Sequence, residues 1–288
     1  MTGRFIAVDW GTSRRRIFLI DQAAVVTSER DNRGAGGLSA DDYGDEAAAI
    51  RSRIGDLPML LAGMVGSNIG WRNVPYVEAP ATLQELAGRL EWVDHRTAIV
   101  PGVRTRDGSR VDVMRGEEVQ LLGAAVSAMV PAEAFLCQPG THCKWAKLSS
   151  AAIITFTTAM TGELFALLSS QGLLARQLTG EVEVGVPFLE GVAEGAKRDL
   201  PAGLFSVRSR GLMGLLSDED AASYASGMLI GADVAARIER GSEVHVLADP
   251  TLGRLYSAAI QALGGTARMI DSETAFIAGI SAIWELAQ

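Results

Sequence analysis

The sequence predicts an α/β protein of two halves, each opening with three short strands joined by tight turns. Three observations carry this expectation. The apolar run Phe5-Ile6-Ala7-Val8 feeds a turn, Asp9-Trp10-Gly11-Thr12-Ser13, that leads into a second apolar run. A similar turn, Pro139-Gly140-Thr141-His142, returns at the head of the second half. Between the two, Val119, Leu122, Val126 and Met129 fall at steps of three and four, the period of an amphipathic helix over 115–129, and Pro131 follows as a boundary.

In the first half, residues 4–9 read as a buried strand ending at Asp9, with further strands at 15–20 and 23–28 joined by the pair Asp21-Gln22. The Gly-, Asp- and Asn-rich stretch 31–44 reads as a loop, and Ala47 to Ile54 as a helix. Pro58 opens the strand Met59-Leu60-Leu61-Ala62, and Gly63-Met64-Val65-Gly66-Ser67-Asn68 is a glycine-rich bend. Residues 71–80 are extended around Pro75 and Pro80, Thr82 to Leu90 is a short helix, and 97–100 is a strand stopped by Pro101-Gly102. In the second half, strands are expected at 134–137, 143–148 and 151–156, followed by a helix over 162–174. A long helix runs from an N-cap at Ser217 to Gly241, with Asp218, Glu219 and Asp220 suiting the positive end of its dipole. Its Gly227, Gly231, Ala232 and Ala235 allow close packing. A strand at Val244 to Leu247, a helix at 252–263, a strand at 266–270 and a final helix at 273–286 complete the chain.

Composition bounds the function. A chain of 288 residues, 48% hydrophobic and 21% charged, buries a sizeable core. A net charge of −8 argues against a nucleic-acid partner. Cys137 and Cys143 are the only thiols, so there is no disulfide framework, and with His142 they lack the paired spacing and fourth ligand of a zinc site. Met1-Thr2-Gly3-Arg4 leads straight into a strand pattern, with no secretory leader, and no apolar run reaches the length of a membrane span. No membrane partner and a cytoplasmic location are the expectation.

The two turns share a chemistry. Glycine lets the backbone approach a ligand, Thr or Ser adds a hydroxyl to the exposed N–H groups, and each turn has basic residues just downstream, Arg14 to Arg16 and Lys144. Two such turns suggest a clamp on a phosphate chain.

At this point the residues resemble a known family. The string DWGTSRRR (9–16) is similar to the first phosphate motif of the actin, hexokinase and Hsp70 superfamily. More narrowly, AGMVGSNIGW (62–71), VMRGEEVQLLGA (113–124), PGTHCKW (139–145), TAMTGELF (158–165) and SGMLIGADV (226–234) look like the 2-dehydro-3-deoxygalactonokinase family, and the similarity runs to AFIAGISAIW (275–284). The resemblance implies two ribonuclease-H-like α/β domains, 1–130 and 131–288, in an actin-like ATPase fold around a central cleft. Sugar acid would lie mainly on the first domain and nucleotide mainly on the second. It implies ATP-dependent phosphorylation of the 6-hydroxyl of 2-dehydro-3-deoxy-D-galactonate in galactonate breakdown, with Mg²⁺. Two departures stand out: Gln138 occupies the place of the superfamily's second-motif Asp, and Ala248-Asp249-Pro250-Thr251 replaces its Gly-Gly adenosine turn.

Candidate site residues follow. Asp9, at a strand end, suits Mg²⁺ held through water, or else caps its turn. Gly11, Thr12, Ser13 and Arg16 face one side of the phosphate chain, and Gly140 and Thr141 the other, with Lys144 adding charge or standing as a solvated strand residue. Phosphoryl transfer rewards positioning and a base near the attacking hydroxyl. Glu117 is the first candidate, since EEVQLLGA is also similar to a stretch in the exopolyphosphatase branch where a Glu assists attack on phosphate. Glu118 and Glu163 remain alternatives, and the bland reading of the pair is a helix start that favours carboxylates. Arg115 faces sugar acid, phosphate or solvent. Ser67 and Asn68 suit a sugar carboxylate, Trp71 a sugar face, and Thr161 with Glu163 a second polar turn, where Thr161 is otherwise a plain N-cap. A phosphohydrolase with the same clamp and a non-catalytic ATP sensor are the rivals. Galactonate against gluconate epimers, nucleotide preference, and a homodimer against other assemblies stay open.

Overall fold

Ile6, Val8 and Trp10 on one face of the first strand and Phe5 and Ala7 on the other are all buried, so this strand has protein on both sides and sits mid-sheet. The computed structural model describes residues 3–288; the first two residues of the expected Met1–Arg4 lead-in lie outside the described residues. β1 (Phe5–Trp10) pairs antiparallel with β2 (Arg15–Asp21), which pairs antiparallel with β3 (Ala24–Asp31). The turn between β2 and β3 centres on Gln22 and Ala23 (φ 50° and 61°), one residue later than Asp21-Gln22, because a two-residue hairpin of this hand needs both central residues at positive φ.

α1 (Asp42–Ile54) begins earlier than Ala47, since Tyr43, Ala47 and Ile50 all enter the core beside β1 and β4 (Met59–Gly63). There follow β5 (Val77–Glu78), α2 (Leu83–Ala87), β6 (Glu91–Asp94), β7 (Thr97–Ile99), β8 (Val103–Asp107), β9 (Arg110–Met114) and α3 (Glu117–Val126). The main sheet has the order β3-β2-β1-β4-β7-β6, with β1, β4 and β7 parallel. β5, β8 and β9 form a small separate sheet; β5 lies within the expected extended stretch 71–80, whereas β6, β8 and β9 have no counterpart among the expected elements.

The second half runs β10 (Glu133–Gln138), β11 (Cys143–Ser149), β12 (Ala152–Ala159), α4 (Thr161–Ser170), α5 (Val186–Gly195), α6 (Leu200–Leu212), α7 (Asp218–Ala235), β13 (Glu243–Ala248), α8 (Pro250–Ala262) and β14 (Thr266–Asp271). Its sheet order, β12-β11-β10-β13-β14, repeats the β3-β2-β1-β4-β7 order of the first. The three-strand opening thus occurs in both halves. α7 starts as expected, with Ser217 accepting from the Asp220 N–H at 3.1 Å, but it ends at Ala235, not Gly241. α4 likewise stops at Ser170 rather than at 174. The last helix, α9 (Ser272–Leu286), lies against α3 so closely that a Cβ on Gly123 would stand 1.9 Å from the Ala275 carbonyl oxygen.

By internal contacts the chain divides into two units. The first comprises residues up to Ala134, Ala146–Phe156 and Ser272–Gln288; the second comprises Phe135–Trp145 and Thr157–Asp271. The first unit's core gathers Ile6, Val8, Trp10, Tyr43, Ile50, Leu61 and Ile99. The second unit's core gathers Trp145, Phe188, Val192, Val234, Val246 and Tyr256. Among the described residues no helix is long and apolar enough to cross a membrane.

Candidate active site

Three of the strings singled out in the sequence meet at Gly63 in the first unit. Gly63 has φ 94°, and a Cβ there would stand 2.7 Å from the Trp10 carbonyl oxygen, so the glycine-rich bend is pressed against the end of β1. Gly116 has φ 105°, and its Cβ would lie 3.1 Å from the Gly63 Cα, which brings the start of α3 to the same place. The Asp9–Ser13 turn, the Gly63–Trp71 bend and the Arg115–Glu118 helix start are therefore neighbours through backbone contact.

At the β1 turn, Asp9 accepts from Arg16 Nε at 3.0 Å, directly across the β1–β2 ladder. Arg16 Nη1 also lies 3.6 Å from Glu273 of α9. Arg16, expected on the phosphates, is thus already held by two carboxylates. Arg15 is fully covered: its Nε bonds Asp31 at 2.9 Å, its Nη1 lies 2.8 Å from Glu46, and its guanidinium stands 4.9 Å above the Trp10 ring. Gly11 and Thr12 give their carbonyls to the Ala35 and Gly36 N–H groups at 2.9 and 2.8 Å. Thr12 and Ser13 side chains stay exposed. Beside this turn opens a cavity of about 440 Å³ whose walls include Asp9, Gly11, Arg14, Arg16, Arg30 and Asn32. The full lining adds Arg15 and Asp31, so four arginines stand against two aspartates, a net positive wall that suits an anionic ligand.

Along the bend, Ser67 is buried and its hydroxyl donates to the Met64 carbonyl at 2.7 Å, closing its own turn. Asn68 is exposed. Trp71 stacks on Tyr43, with rings 6.0 Å apart and 9° from parallel, and so serves the core on that face. Arg115 is the more telling residue. It is 8% exposed, its Nη2 donates to the Val74 carbonyl at 2.7 Å and its guanidinium lies 4.3 Å from the Tyr76 ring centre. Its Nε and Nη1 are buried without a hydrogen-bond partner, and Nη1 is 2.9 Å from where a Gly66 Cβ would be. A buried guanidinium with two unsatisfied nitrogens is costly unless an anion completes it.

The two glutamates of the helix start differ. Glu118 is wholly buried and takes the Gly116 N–H on both oxygens. Burial, helped by the neighbouring Glu117 charge, pushes its carboxyl up to about 8 against the opposing pull of that N–H. Glu117 is half-buried and accepts the Arg115 N–H at 3.1 Å.

In the second unit, α4 grips the Pro139–His142 turn. The Glu163 N–H donates to the Thr141 carbonyl at 2.9 Å, and a Cβ on Gly162 would stand 2.4 Å from the Gly140 carbonyl oxygen. Glu163 pairs with His142 Nε2 at 2.5 Å, so this third candidate base is tied to the turn itself. Lys144 is buried and its Nζ donates to the His142 carbonyl at 3.2 Å; it is no solvated strand residue. Thr161 also turns inward, donating to Asp233 at 2.9 Å. Sequence reading did not single out Asp233, whose partners come from elements far apart in the chain. Cys137 and Cys143 are buried with sulfurs 3.6 Å apart.

A turn lined by arginines, a glycine bend and a buried arginine with unsatisfied nitrogens suit an anionic small molecule. The chain belongs to the 2-keto-3-deoxy-galactonokinase family, whose model matches residues 9–283. It is 35% identical to the 2-dehydro-3-deoxygalactonokinase of Escherichia coli (strain K12), over 98% of both chains. A crystal structure from Sinorhizobium meliloti assigned as a 2-dehydro-3-deoxygalactonokinase shares 33% identity with a TM-score of 0.88, covering 97% of this chain and 95% of that one. The fold is also that of the activator of 2-hydroxyisocaproyl-CoA dehydratase from Clostridium difficile, solved with bound ADPNP. That match has a TM-score of 0.52 at 9% identity and covers 99% of this chain and 95% of that one.

Proposed function

We propose that this protein transfers the γ-phosphate of ATP to the 6-hydroxyl of 2-dehydro-3-deoxy-D-galactonate. Family membership supports the reaction, and one observation carries the site: the convergence of the β1 turn, the Gly63–Trp71 bend and the α3 start on Gly63. In this reading the two units are two domains of an actin-like, ribonuclease-H-like fold. Within the first unit the Gly11–Ser13 turn offers N–H and hydroxyl groups to phosphate; within the second the Gly140–Thr141 turn does so by itself, stiffened by Lys144.

The substrate is a carboxylate at one end and an acceptor hydroxyl at the other. Arg115 offers a matching pair of ends: its guanidinium lies at Gly66, while the Glu117 carboxylate turns back onto its backbone N–H. We assign the sugar carboxylate to Arg115 with Asn68 and the Ser67 turn, and the orientation of the 6-hydroxyl to Glu117. Glu118, its carboxyl pushed up by burial and closed on Gly116, supports the backbone of that site. Asp9 fits Mg²⁺ bound chiefly by phosphate oxygens and water, because Mg²⁺ seldom uses an all-protein cage. Among the described residues no cluster of three or more ligand side chains would provide such a cage. When bound, the ion neutralises charge on the phosphates. A cavity of about 460 Å³ lined by Glu181, Glu183, Thr251 and Arg254 is our seat for the nucleoside, where carboxylates can accept ribose hydroxyls.

The exposed apolar side chains Phe205, Leu212, Met213 and Leu215 on and after α6 are our proposed contact for a homodimer, and light scattering reads the mass. The cytoplasm, where ATP is available, is the proposed location. The test of function is ADP release with ATP, Mg²⁺ and a panel of 2-keto-3-deoxy acids of both epimeric series. Acid-dependent ADP is expected, fastest with the galactonate derivative; acid-independent phosphate release would instead mark a hydrolase.

A further inference from the structure

We propose that Asp233 is a positioning residue for nucleotide binding: its buried carboxylate anchors the first turn of α4, which in turn holds the Pro139–His142 turn. The inference rests on the reading that this turn carries the ATP phosphates.

Asp233 lies in the last part of α7 and is 7% exposed. Trp145 Nε1 donates to its Oδ1 at 3.1 Å, and Thr161 Oγ1 and the Tyr256 hydroxyl donate to its Oδ2 at 2.9 and 3.4 Å. Arg237 Nε stands 3.8 Å from Oδ1. One carboxylate thus joins β11, α4, α7 and α8 inside an otherwise apolar core of Cys137, Trp145, Phe188, Val234 and Tyr256. Burial raises its carboxyl above the ordinary range, opposed by Trp145 and Thr161. Such a group is expensive to desolvate, and apolar residues of similar size would often stabilise the fold as well or better.

What the carboxylate holds gives the reason for keeping it. α4 has no side-chain N-cap at Met160, so its first turn lacks the usual anchor. Thr161, first in that helix, is fixed by Asp233 instead. The next two residues press on the phosphate turn: Gly162 leaves only 2.4 Å between its would-be Cβ and the Gly140 oxygen, and the Glu163 N–H binds Thr141 at 2.9 Å. Asp233, Thr161 and Thr141 therefore form a short mechanical chain from the core to the turn.

Calorimetric titration with a non-hydrolysable ATP analogue reads this chain without catalysis, so failure of the kinase reading would show separately, in acid-dependent ADP release by the unsubstituted protein. Asp233→Asn and Thr161→Val should each weaken analogue binding about tenfold, the loss expected for one hydrogen bond to a charged group. The double variant should bind no worse than either single, since both cut the same link. Trp145→Phe removes a different donor and should lower Tm while leaving affinity within about twofold of the parent. Parental analogue affinity in Thr161→Val, or additive losses in the double variant, would overturn the proposal. If Asp233→Asn does not fold, Thr161→Val alone decides it.

Discussion

The Gly116 N–H donates to both oxygens of the Glu118 carboxylate, at 2.8 and 2.7 Å, in a spot closed to solvent. Gly116 can bend that way because it sits at φ 105°, a conformation side-chain-bearing residues avoid. The acid is therefore part of how the α3 start is built, and its neighbour Glu117 is the one that remains half-open.

The Glu118 carboxyl, raised to about 8 from 4.5, gives a signed pH dependence. The folded state keeps a proton that the unfolded chain loses above about pH 4.5, so this contribution to stability is present at low pH and drains away as pH rises towards about 8. Glu118→Gln does not titrate. Its stability relative to the parent should climb by at least about 1 kcal/mol between about pH 5 and about pH 8, whatever the constant offset from its buried amide. Urea unfolding at a series of pH values measures the difference, and a flat difference would show Glu118 to be ionised in the fold.

Glu117 should carry the kinetic effect that Glu118 does not. Glu117→Gln is expected to lower kcat by about a hundredfold or more, with the KM for ATP little changed, as loss of a positioned base does. Steady-state ADP release measures it. Parental kcat in Glu117→Gln together with an inactive but folded Glu118→Gln would move the role to Glu118.

Arg115 should show the opposite signature to a structural residue. Arg115→Met keeps the stem over Tyr76 and removes a buried charge whose Nε and Nη1 are unsatisfied. Stability should hold or rise, while the KM for the sugar acid should rise by about tenfold to a hundredfold and that for ATP should stay put. A falling Tm with an unchanged acid KM would assign Arg115 to the fold alone.

How much of this was legible in the sequence follows from where each signal resides. The two strand-turn-strand openings are local: Ile6, Val8, Ile17 and Leu19 are buried runs with turn residues between them, and the chain reads them directly. The hairpin of β8 and β9 carries a comparable local signal, the Gly108-Ser109 turn closed by the Asp107–Arg110 pair, hidden amid its many charges. α5 is different. Gly191 and Gly195 make its sequence a weak helix former, and only a partner helix explains them. The site divides in the same way. Gly11, Gly140 and the Glu117–Glu118 pair announce themselves by motif, whereas Ser67 and Thr161 look like ligand groups until their hydroxyls are seen bonded to Met64 and Asp233.

The α5–α7 contact yields a last prediction. Gly191 and Gly195 on α5 face Gly227 and Gly231 on α7 in a reciprocal pattern. A Cβ at Gly191 would stand 2.0 Å from the Tyr224 oxygen and one at Gly195 2.0 Å from that of Met228. In return, a Cβ at Gly227 would meet the Phe188 oxygen at 2.1 Å and one at Gly231 the Val192 oxygen at 2.4 Å. In an ordinary helix, Gly→Ala helps by about 1 kcal/mol through backbone entropy. Here the obstructing atoms are backbone carbonyls that cannot swing aside, so Gly227→Ala should force the helices apart and cost roughly 1–3 kcal/mol or more. Gly44→Ala on α1, where a Cβ meets nothing within 4 Å, is the control and should be neutral or stabilising by up to about 1 kcal/mol. Thermal unfolding of the two variants compares them, and equal stability would show that the helices yield. Gly231→Ala adds a functional readout, because α7 also carries Asp233: any shift of the helix should weaken ATP binding along with stability.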